Sequence, residues 1–330
     1  MKKILVTGAG SLLGQGIIKT LKYSKSKFKI IGTDYFRDAI GLYWVSKGYI
    51  LPDILKRKKN LNIWKKKILK IIKKEKINYL IPGLDFELIH ISRLKDKIES
   101  LTNCKVIISN IKTIKIFQDK WLTVKFLKKN NFLFPKSTLP LNINKFLKKN
   151  KFPLIVKSRK GSTSKNVYLV KNKKELKNAI NECHNPIVQE YLYSNENEYT
   201  CGTISNSNKL ISAITLRRKL KNGNTIKAVL KSDQKFKIIN DYVKKITNKI
   251  NPIGPLNFQL CLTKRGPVIF EINPRFSGTT PLRSLFGLNE IDLLIKSIQN
   301  QKYKAKYNFK YGTIIRYFDN YFIKKEKKML

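Results

Sequence analysis

Side chains with metal-binding and phosphate-binding chemistry end an apolar run near residue 270 of this sequence. Glu271, Asn273 and Arg275 alternate along residues 268–278, and residues two apart on a strand point to the same face. Carboxylate and amide oxygens are hard donors suited to Mg²⁺, and a guanidinium is suited to phosphate or carboxylate. The spacing therefore indicates a phosphoryl-transfer site, the alternative being a strand whose polar end is merely solvated.

A second apolar segment could bring another oxygen donor to the same place. Asn257 and Gln259 alternate in a strand-like run, and Gln259 lies twelve residues upstream of Glu271. If the two runs pair as antiparallel neighbours, the face that carries Gln259 meets the face that carries Glu271. Asn and Gln on a strand are more often ordinary solvent-facing residues, so this pattern alone leaves both interpretations open.

Polar groups suited to a nucleotide lie between residues 157 and 198. Lys157 ends an apolar strand before a loop that contains Gly161 and Ser162, where backbone amides and hydroxyls could fold over phosphates. Farther on, a strand runs into Glu190, and Glu198 follows eight residues later. A strand edge can offer main-chain groups to adenine and a carboxylate can hold ribose hydroxyls, but the same glutamates could form an exposed acidic turn.

A glycine-rich turn follows the first strand of the chain. Gly8, Gly10 and Gly14 open a helix, and Asp34 ends the next strand, where a dinucleotide-binding fold would hold a ribose. The spacing G-x-G-x-x-x-G differs from the usual G-x-G-x-x-G. A nicotinamide site, a small-substrate site and a tight strand-to-helix turn all remain open at this point.

The elements that position these groups follow a mixed pattern. Residues 2–110 alternate short apolar strands with helices, which predicts an α/β fold with a parallel, doubly wound sheet. A proline-containing linker is expected at residues 135–140, and a second α/β unit near Phe152. Hairpin strands follow, so the C-terminal half is expected to be α+β with an antiparallel sheet.

Composition limits the function classes. The net charge of +48 fits either a nucleic-acid binder or lysine enrichment from A- and T-rich codons. The lysines spread along helix faces and are not interleaved with aromatic residues, which favours the second interpretation. No apolar run reaches about eighteen residues, which excludes a membrane-spanning helix, and the N-terminus is not typical of a signal peptide. The scattered cysteines predict reduced thiols in a cytoplasmic protein, and two histidines argue against a histidine-centred triad.

Taken in order, these motifs resemble the ATP-grasp superfamily, most closely its single-module members similar to carbamoyl phosphate synthase and amino-acid ligases. The resemblance implies a Rossmann-like pre-ATP-grasp domain at residues 1–112, a central lid subdomain at 113–188 and a catalytic subdomain at 189–330. It implies catalytic roles for Arg275 and Lys157 and metal ligands at Gln259, Glu271 and Asn273. The residues that it implies for ATP binding are Lys120, Lys157, Gly161, Ser162, Glu190, Tyr191, Leu192 and Glu198.

The resemblance further implies an ATP- and Mg²⁺-dependent ligase, with Mn²⁺ as an alternative metal. Such an enzyme activates a carboxylate as an acyl phosphate, joins it to an amine and releases ADP and phosphate. Small-molecule substrates are expected, with no specific nucleic acid, and a homodimer is left open. The candidate substrate-binding residues are Gly10, Ser11, Asp85, Glu87, Ser277 and Gly278. The alternatives are an NAD(P)-dependent oxidoreductase that uses the glycine-rich turn and a basic nucleic-acid-binding protein.

Overall fold

The N-terminal part of the chain is the expected parallel α/β unit. We describe a computed structural model over residues 1–57, 59–161, 166–192, 197–206, 209–299, 308–323 and 329–330. The parallel sheet has the order β3-β2-β1-β4-β5. Its strands are β1 Lys2–Val6, β2 Phe28–Asp34, β3 Lys47–Ile50, β4 Tyr79–Ile81 and β5 Lys105–Val106. The helices that accompany them are α1 Leu12–Lys22, α2 Ile40–Tyr43, α3 Asn60–Glu75 and α4 Leu88–Leu101.

The first helix shows why this part of the sequence folds as predicted. Ser11 caps α1, its hydroxyl accepting a hydrogen bond from the backbone N–H of Gly14 at 2.9 Å. Ile17, Ile18 and Leu21 recur at helical spacing and are buried against the sheet. The sequence pattern predicts a helix from Leu12 to Lys22, and α1 has these bounds. Its N-terminus points toward the carboxyl ends of the strands.

A smaller antiparallel sheet follows, in the order β6-β9-β7-β8. After α5 Ile111–Phe117 and α6 Lys120–Lys129 come β6 Ser137–Thr138, α7 Ile143–Leu147, β7 Leu154–Ser158, β8 Val167–Val170, α8 Lys173–Glu182 and β9 Pro186–Glu190. The sheet has a hydrophobic core of its own, which includes Leu154, Val156 and Val188. The predicted linker at 135–140 contains β6, because Thr138 pairs with Val188 of β9, so that prediction was wrong.

The C-terminal part is a large antiparallel sheet in the order β14-β13-β10-β11-β12-β15. Its strands are β10 Glu198–Asn206, β11 Lys209–Lys221, β12 Asn224–Leu230, β13 Gly254–Thr263, β14 Gly266–Asn273 and β15 Gly312–Ile315. Helices α9 Gln234–Ile250, α10 Thr280–Leu285 and α11 Glu290–Ile298 pack on it.

The observed cores shift the predicted boundaries between these parts. Phe117 of α5 and Leu127 of α6 belong to the core of the large sheet rather than to that of the small one. The predicted boundary after residue 188 falls inside β9. Both discrepancies have the same cause. An apolar helix face or a strand packs against a partner elsewhere in the chain, and the sequence pattern of one segment does not identify that partner.

The parallel unit and the large sheet share one hydrophobic core. Ile4 and Ile17 of the parallel unit cluster with Ile204 of β10 and with Ile291 and Leu294 of α11. Gly16 of α1 lets this helix approach α10 closely, since a Cβ there would lie 3.3 Å from Cδ of Pro281. The strand ends of the parallel unit are therefore held at a fixed position relative to β13 and β14.

A buried ion pair lies flat on β10 within the large sheet. Arg283 of α10 and Glu290 of α11 are each 1% exposed and approach to 3.1 Å. Arg283 Nη2 also donates to Asn257 Oδ1 of β13 at 2.6 Å. Gly202 leaves the room for this pair, because a Cβ at that position would lie 2.1 Å from Glu290 Oε1. The missing side chain of Gly202 is thus a requirement of the fold.

We expect Gly202→Ala to destabilise the protein by about 3–5 kcal/mol, the range for breaking a buried ion pair. The new methyl group would displace Glu290 or Arg283 and leave a charge buried without its partner. The midpoint of urea unfolding measures the loss. Ser212→Ala in β11 is the matched control, because its buried hydroxyl has no hydrogen-bond partner among the described residues and its removal should cost little. A wild-type midpoint for Gly202→Ala would contradict this account of the pair.

Candidate functional site

The pairing of β13 with β14 builds the centre of the site. The two strands are antiparallel, and Gln259 stands directly opposite Glu271 while Asn257 stands opposite Asn273. A register shift follows Gln259, so that Leu260 pairs with Ile269 and Phe270 is the extra residue on β14. The antiparallel arrangement predicted for these segments is confirmed, and it sets the three amides and the carboxylate on one face of the sheet.

Glu271, Asn273 and Arg275 form one continuous row at the end of β14. Asn273 Nδ2 donates to Glu271 Oε1 at 3.1 Å, and Arg275 Nη2 lies 3.4 Å from Asn273 Oδ1. Arg275 also forms a bidentate pair with Asp85, with distances of 2.6 Å from Nε to Oδ1 and 3.1 Å from Nη2 to Oδ2. The row therefore reaches from the large sheet to the loop that follows β4.

A cavity of about 650 Å³ opens in front of this row. It lies where the parallel unit, the small sheet and the large sheet meet. The predicted site residues that line it are Ser11, Asp85, Lys120, Lys157, Gly161, Glu190, Tyr191, Leu192, Glu198, Gln259, Glu271, Arg275, Ser277 and Gly278. Residues from distant parts of the sequence thus converge on one cavity.

Three predicted residues lie outside the cavity lining, and one lies outside the described residues. Glu87 is fully buried, so it cannot touch a substrate. Gly10 is covered by Ala39, which would be 2.6 Å from a Cβ on this glycine. Asn273 is 7% exposed and lies between its two neighbours in the row. Ser162 lies outside the described residues.

Glu87 instead supports the loop that carries Asp85. It accepts a hydrogen bond from the Thr7 hydroxyl and another, at 2.8 Å, from the Tyr35 hydroxyl. Thr7 Oγ1 in turn accepts from the Gly83 N–H at 3.2 Å. Burial raises the pKa of the Glu87 carboxyl to about 7. The prediction of a substrate contact at Glu87 was wrong because sequence shows that a carboxylate is present, not whether it is enclosed.

Two lysines bring positive charge to the cavity. Lys157 is 8% exposed, and its Nζ lies 5.4 Å from the centroid of the Phe270 ring. Burial lowers the pKa of Lys157 to about 8, and the charge of Lys120 acts in the same direction. Lys120, the first residue of α6, donates from Nζ to the carbonyl oxygen of Gly161 at 3.0 Å. A phosphate between these two ammonium groups would relieve both the desolvation and the mutual repulsion.

Two acidic residues at the ends of neighbouring segments of the chain, where β9 stops and β10 begins, also line the cavity. Glu190, the last residue of β9, accepts from the Lys136 N–H at 2.9 Å and forms an ion pair with Arg265. Glu198, the first residue of β10, forms an ion pair with Arg218. The backbone of residues 190–192 follows the end of β9 along the cavity, where main-chain groups can meet a flat heterocycle.

Several cavity residues were not predicted from the sequence. They come from the large sheet and the segment after it, and they include Thr200, Arg218, Asn224, Thr225 and Arg316. A usable signal was present, since ten of the 69 basic residues are arginines and the rest are lysines. Arginine is suited to buried, directional ion pairs, so each of the few arginines in this lysine-rich chain is a candidate for such a contact.

The donor set of the site fits a magnesium ion. Glu271 Oε, Gln259 Oε1 and Asn273 Oδ1 are hard oxygen ligands on paired strands, and Glu271 and Gln259 line the cavity. No group of three His, Cys, Asp or Glu residues that could hold a metal occurs in the described part of the chain. A set with one carboxylate suits Mg²⁺, which keeps several waters and shares substrate phosphates.

The glycine-rich turn is filled by the protein itself. Asp34 Oδ2 accepts from the Gly10 N–H at 2.7 Å, and its Oδ1 accepts from the Tyr35 N–H at 2.7 Å. Gly8 has φ of +57°, and a Cβ there would lie 2.3 Å from Cγ of Leu84. The carboxylate that a dinucleotide ribose would need is thus engaged by backbone amides. Of the alternatives left open, this geometry favours the tight strand-to-helix turn.

Comparisons with known proteins agree with this arrangement. The family model for the ATP-grasp domain matches residues 117–279. A comparison with curated protein sequences returned no match. In the described residues, no helix combines the length and the apolar character needed to cross a membrane.

Solved structures of similar fold include several carboxylating enzymes. The biotin carboxylase of Campylobacter jejuni in complex with β,γ-ATP has a TM-score of 0.73 at 15% identity, covering 94% of this chain and 74% of its own. The N5-carboxyaminoimidazole ribonucleotide synthetase of Thermotoga maritima has a TM-score of 0.66 at 22% identity, with coverages of 91% and 76%.

A third similar structure was solved with ADP. The biotin carboxylase domain of the Hydrogenobacter thermophilus 2-oxoglutarate carboxylase, solved with MgADP, ADP and bicarbonate, has a TM-score of 0.71 at 14% identity. It covers 94% of this chain and 73% of its own. At these identities the structural similarity shows the fold alone, and the family-model match identifies the ATP-grasp domain. The comparisons therefore show an ATP-grasp domain at residues 117–279, within a chain that has the fold of these structures.

Proposed function

We propose that this protein is an ATP- and Mg²⁺-dependent ligase that joins a substrate carboxylate to an amine. The observation that carries the proposal is the convergence of Glu271, Gln259, Lys157 and Arg275 on one cavity. This combination supplies oxygen ligands for a divalent ion next to cations for phosphate. Phosphoryl transfer needs positioning and charge stabilisation rather than a protein nucleophile, and this site offers both.

The nucleotide would occupy the side of the cavity between the two sheets. Main-chain groups of residues 190–192 would meet adenine, and Glu198 would accept hydrogen bonds from ribose hydroxyls. Lys120 and Lys157 would bind the phosphates. A magnesium ion held by Gln259, Glu271 and Asn273 would neutralise phosphate charge.

The acceptor side of the cavity lies against the parallel unit. A substrate carboxylate there would attack the terminal phosphorus atom of ATP, so that ADP leaves and an acyl phosphate forms. Arg275 would stabilise the transferred phosphoryl group while Asp85 fixes the orientation of its guanidinium. The amine would then attack the acyl carbon, phosphate would leave, and an amide would result. Ser11, Ser277 and Gly278 line this end and are proposed to contact the substrates.

The remaining expectations belong to the same proposal. We assign the small sheet, with its separate core, as the lid over the nucleotide. Small-molecule substrates and a cytoplasmic location, where ATP is abundant, fit this reaction, and a homodimer stays a prediction. The oxidoreductase and nucleic-acid-binding alternatives receive no support from the comparisons or from the engaged carboxylate of Asp34.

The decisive experiment is a screen for ADP release over pairs of carboxylates and amines, with Mg²⁺ present. A thermal-shift comparison of ATP·Mg²⁺ with NAD(P) accompanies it and needs no known substrate. Stabilisation by ATP·Mg²⁺ alone supports the ligase. Stabilisation by NAD(P) alone would overturn it in favour of the oxidoreductase.

We expect Glu271→Gln to lower carboxylate-dependent ADP release by about 10²-fold, because it removes the one carboxylate of the proposed metal site. The assay is steady-state turnover with the substrate pair found in the screen. Glu182→Gln on the exposed surface of α8 is the control with the same chemical change and should retain full turnover. Full turnover of Glu271→Gln combined with Asn273→Ala would show that this row does not act on ATP.

We expect ATP·Mg²⁺ binding to take up a proton near pH 8. The pKa of Lys157 is about 8 without ligand, lowered by burial and Lys120 and raised by Glu271, Cys261 and Glu198. Because bound phosphate favours the charged lysine, its pKa rises on binding. Affinity should therefore be constant below that pKa and fall by at most about tenfold per pH unit above it.

Calorimetry in buffers of different ionisation enthalpy measures this proton uptake directly. The uptake should be present about one pH unit above the pKa of Lys157 and absent well below it. Lys157→Arg keeps the charge at every pH in this range and should abolish the uptake. Equal uptake in the wild type and in Lys157→Arg would assign the proton to another group.

A further inference from the structure

Arg218 occupies two oxygen acceptors that the proposed nucleotide complex needs. Its Nε and Nη2 donate to Glu198 Oε1 at 3.0 and 2.5 Å. The same Nη2 donates to Gln259 Oε1 at 2.8 Å. The arginine side chain is 7% exposed, and the residue lines the cavity. One guanidinium thus bridges the proposed ribose-binding carboxylate and a proposed metal ligand.

The sheet order produces this bridge. Arg218 lies on β11, Glu198 begins β10, and Gln259 lies on β13 beyond it. Thr200 pairs with both Leu216 and Gln259, so the three strands are aligned near the mouth of the cavity. A long side chain from β11 can reach across β10 to β13, and arginine provides both the length and several donors. The contact is therefore fixed by strand register rather than by a mobile loop.

These contacts compete with the ligands of the proposed reaction. Nε and Nη2 of Arg218 both donate to the same oxygen of Glu198, so this oxygen is not available to a ribose hydroxyl. A divalent ion at Gln259 Oε1 would stand beside the positive charge of Arg218, and like charges in a low-dielectric site repel strongly. Formation of the complex with nucleotide and metal therefore requires the guanidinium to leave Gln259.

A triphosphate supplies a new partner for the displaced group. Its oxygens carry the negative charge that a guanidinium binds in bidentate fashion, and they would lie next to the metal ligands Gln259 and Glu271. Arg218 remaining buried without an anion would be strongly unfavourable. The anion nearest to the ligands that it gives up is the phosphate chain.

We propose that Arg218 is a further phosphate-binding residue of the transfer site, which exchanges Glu198 and Gln259 for phosphoryl oxygens of ATP when nucleotide and metal bind. The inference rests on the proposed function. In this exchange Arg218 first holds Glu198 and Gln259 and then adds a cation to the phosphate side, beside Lys157 and Arg275. It predicts opposite effects of one substitution on adenosine and on a triphosphate.

The test measures calorimetric affinities of Arg218→Met for adenosine and for β,γ-methylene ATP with Mg²⁺. Adenosine should bind about fivefold more tightly, because Glu198 is released from its ion pair. The triphosphate analogue should bind about tenfold more weakly, because a charge-assisted contact to phosphate is lost. The ratio of the two affinities thus changes by about fifty-fold, which a purely structural role of Arg218 would not produce.

Two further variants complete the design. Lys219→Met, the exposed neighbour on the same strand, removes an equal charge and should leave both affinities unchanged. Arg218→Lys keeps the charge but has a shorter side chain without the forked guanidinium, so it should hold Glu198 and Gln259 less well, bind adenosine more tightly and recover part of the affinity for the analogue. This variant also serves if Arg218→Met does not fold.

The outcomes separate the two proposals. Weakened or unchanged adenosine binding, or unchanged binding of the analogue, in a folded Arg218 variant of a protein that binds ATP·Mg²⁺ overturns the exchange and leaves the ligase proposal intact. A wild-type protein that binds neither adenosine nor the analogue overturns the ligase proposal, and the exchange with it.

Discussion

The register between β13 and β14 is the constraint on which the rest of the site depends. It places Gln259 opposite Glu271, and a slip of one strand by one residue would put these two side chains on opposite faces of the sheet. The extra residue Phe270 forms a bulge in β14, and its ring lies beneath Lys157. The buried pair of Arg283 and Glu290 holds Asn257 on the same face. The pairing of these two strands thus determines where the carboxylate and amide groups of the site lie.

Much of the fold could be predicted because some local patterns allow only one interpretation. The sequence pattern predicts helices at residues 12–22, 173–182 and 290–298 and strands at 28–34 and 167–170, and these are the bounds of α1, α8, α11, β2 and β8. In these segments apolar spacing and flanking polar residues agree. Strand β12 was missed because Asn224–Leu230 mixes lysine and threonine with few large apolar residues. It forms because β11 and β15 pair with it on both sides, which is information held elsewhere in the chain.

The types of the residues at the candidate site could be predicted from the sequence, but the contacts between them could not. Of the predicted residues, those on strand ends and loops converge on the cavity, whereas Glu87 is enclosed by Thr7 and Tyr35. Because lysine is abundant in this chain, a single lysine is by itself a weak signal for a binding site. The arginines are more selective, and several of them form specific contacts, among them Arg159 with Asp119, Arg218 with Glu198, Arg265 with Glu190, Arg275 with Asp85, Arg283 with Glu290 and Arg316 with the Gly278 carbonyl.

The hydrophobic core shared by the parallel unit and the large sheet restricts how this protein can diversify. Ile4 and Ile17 are packed against Ile291 and Leu294, so transplanting the first hundred residues from a distant relative would leave mismatched surfaces along α10 and α11. Recombination of whole units is therefore a poor evolutionary route to new chemistry here. Point changes in the loops above the strands, which touch the cavity without disturbing that core, leave the scaffold intact while the acceptor changes.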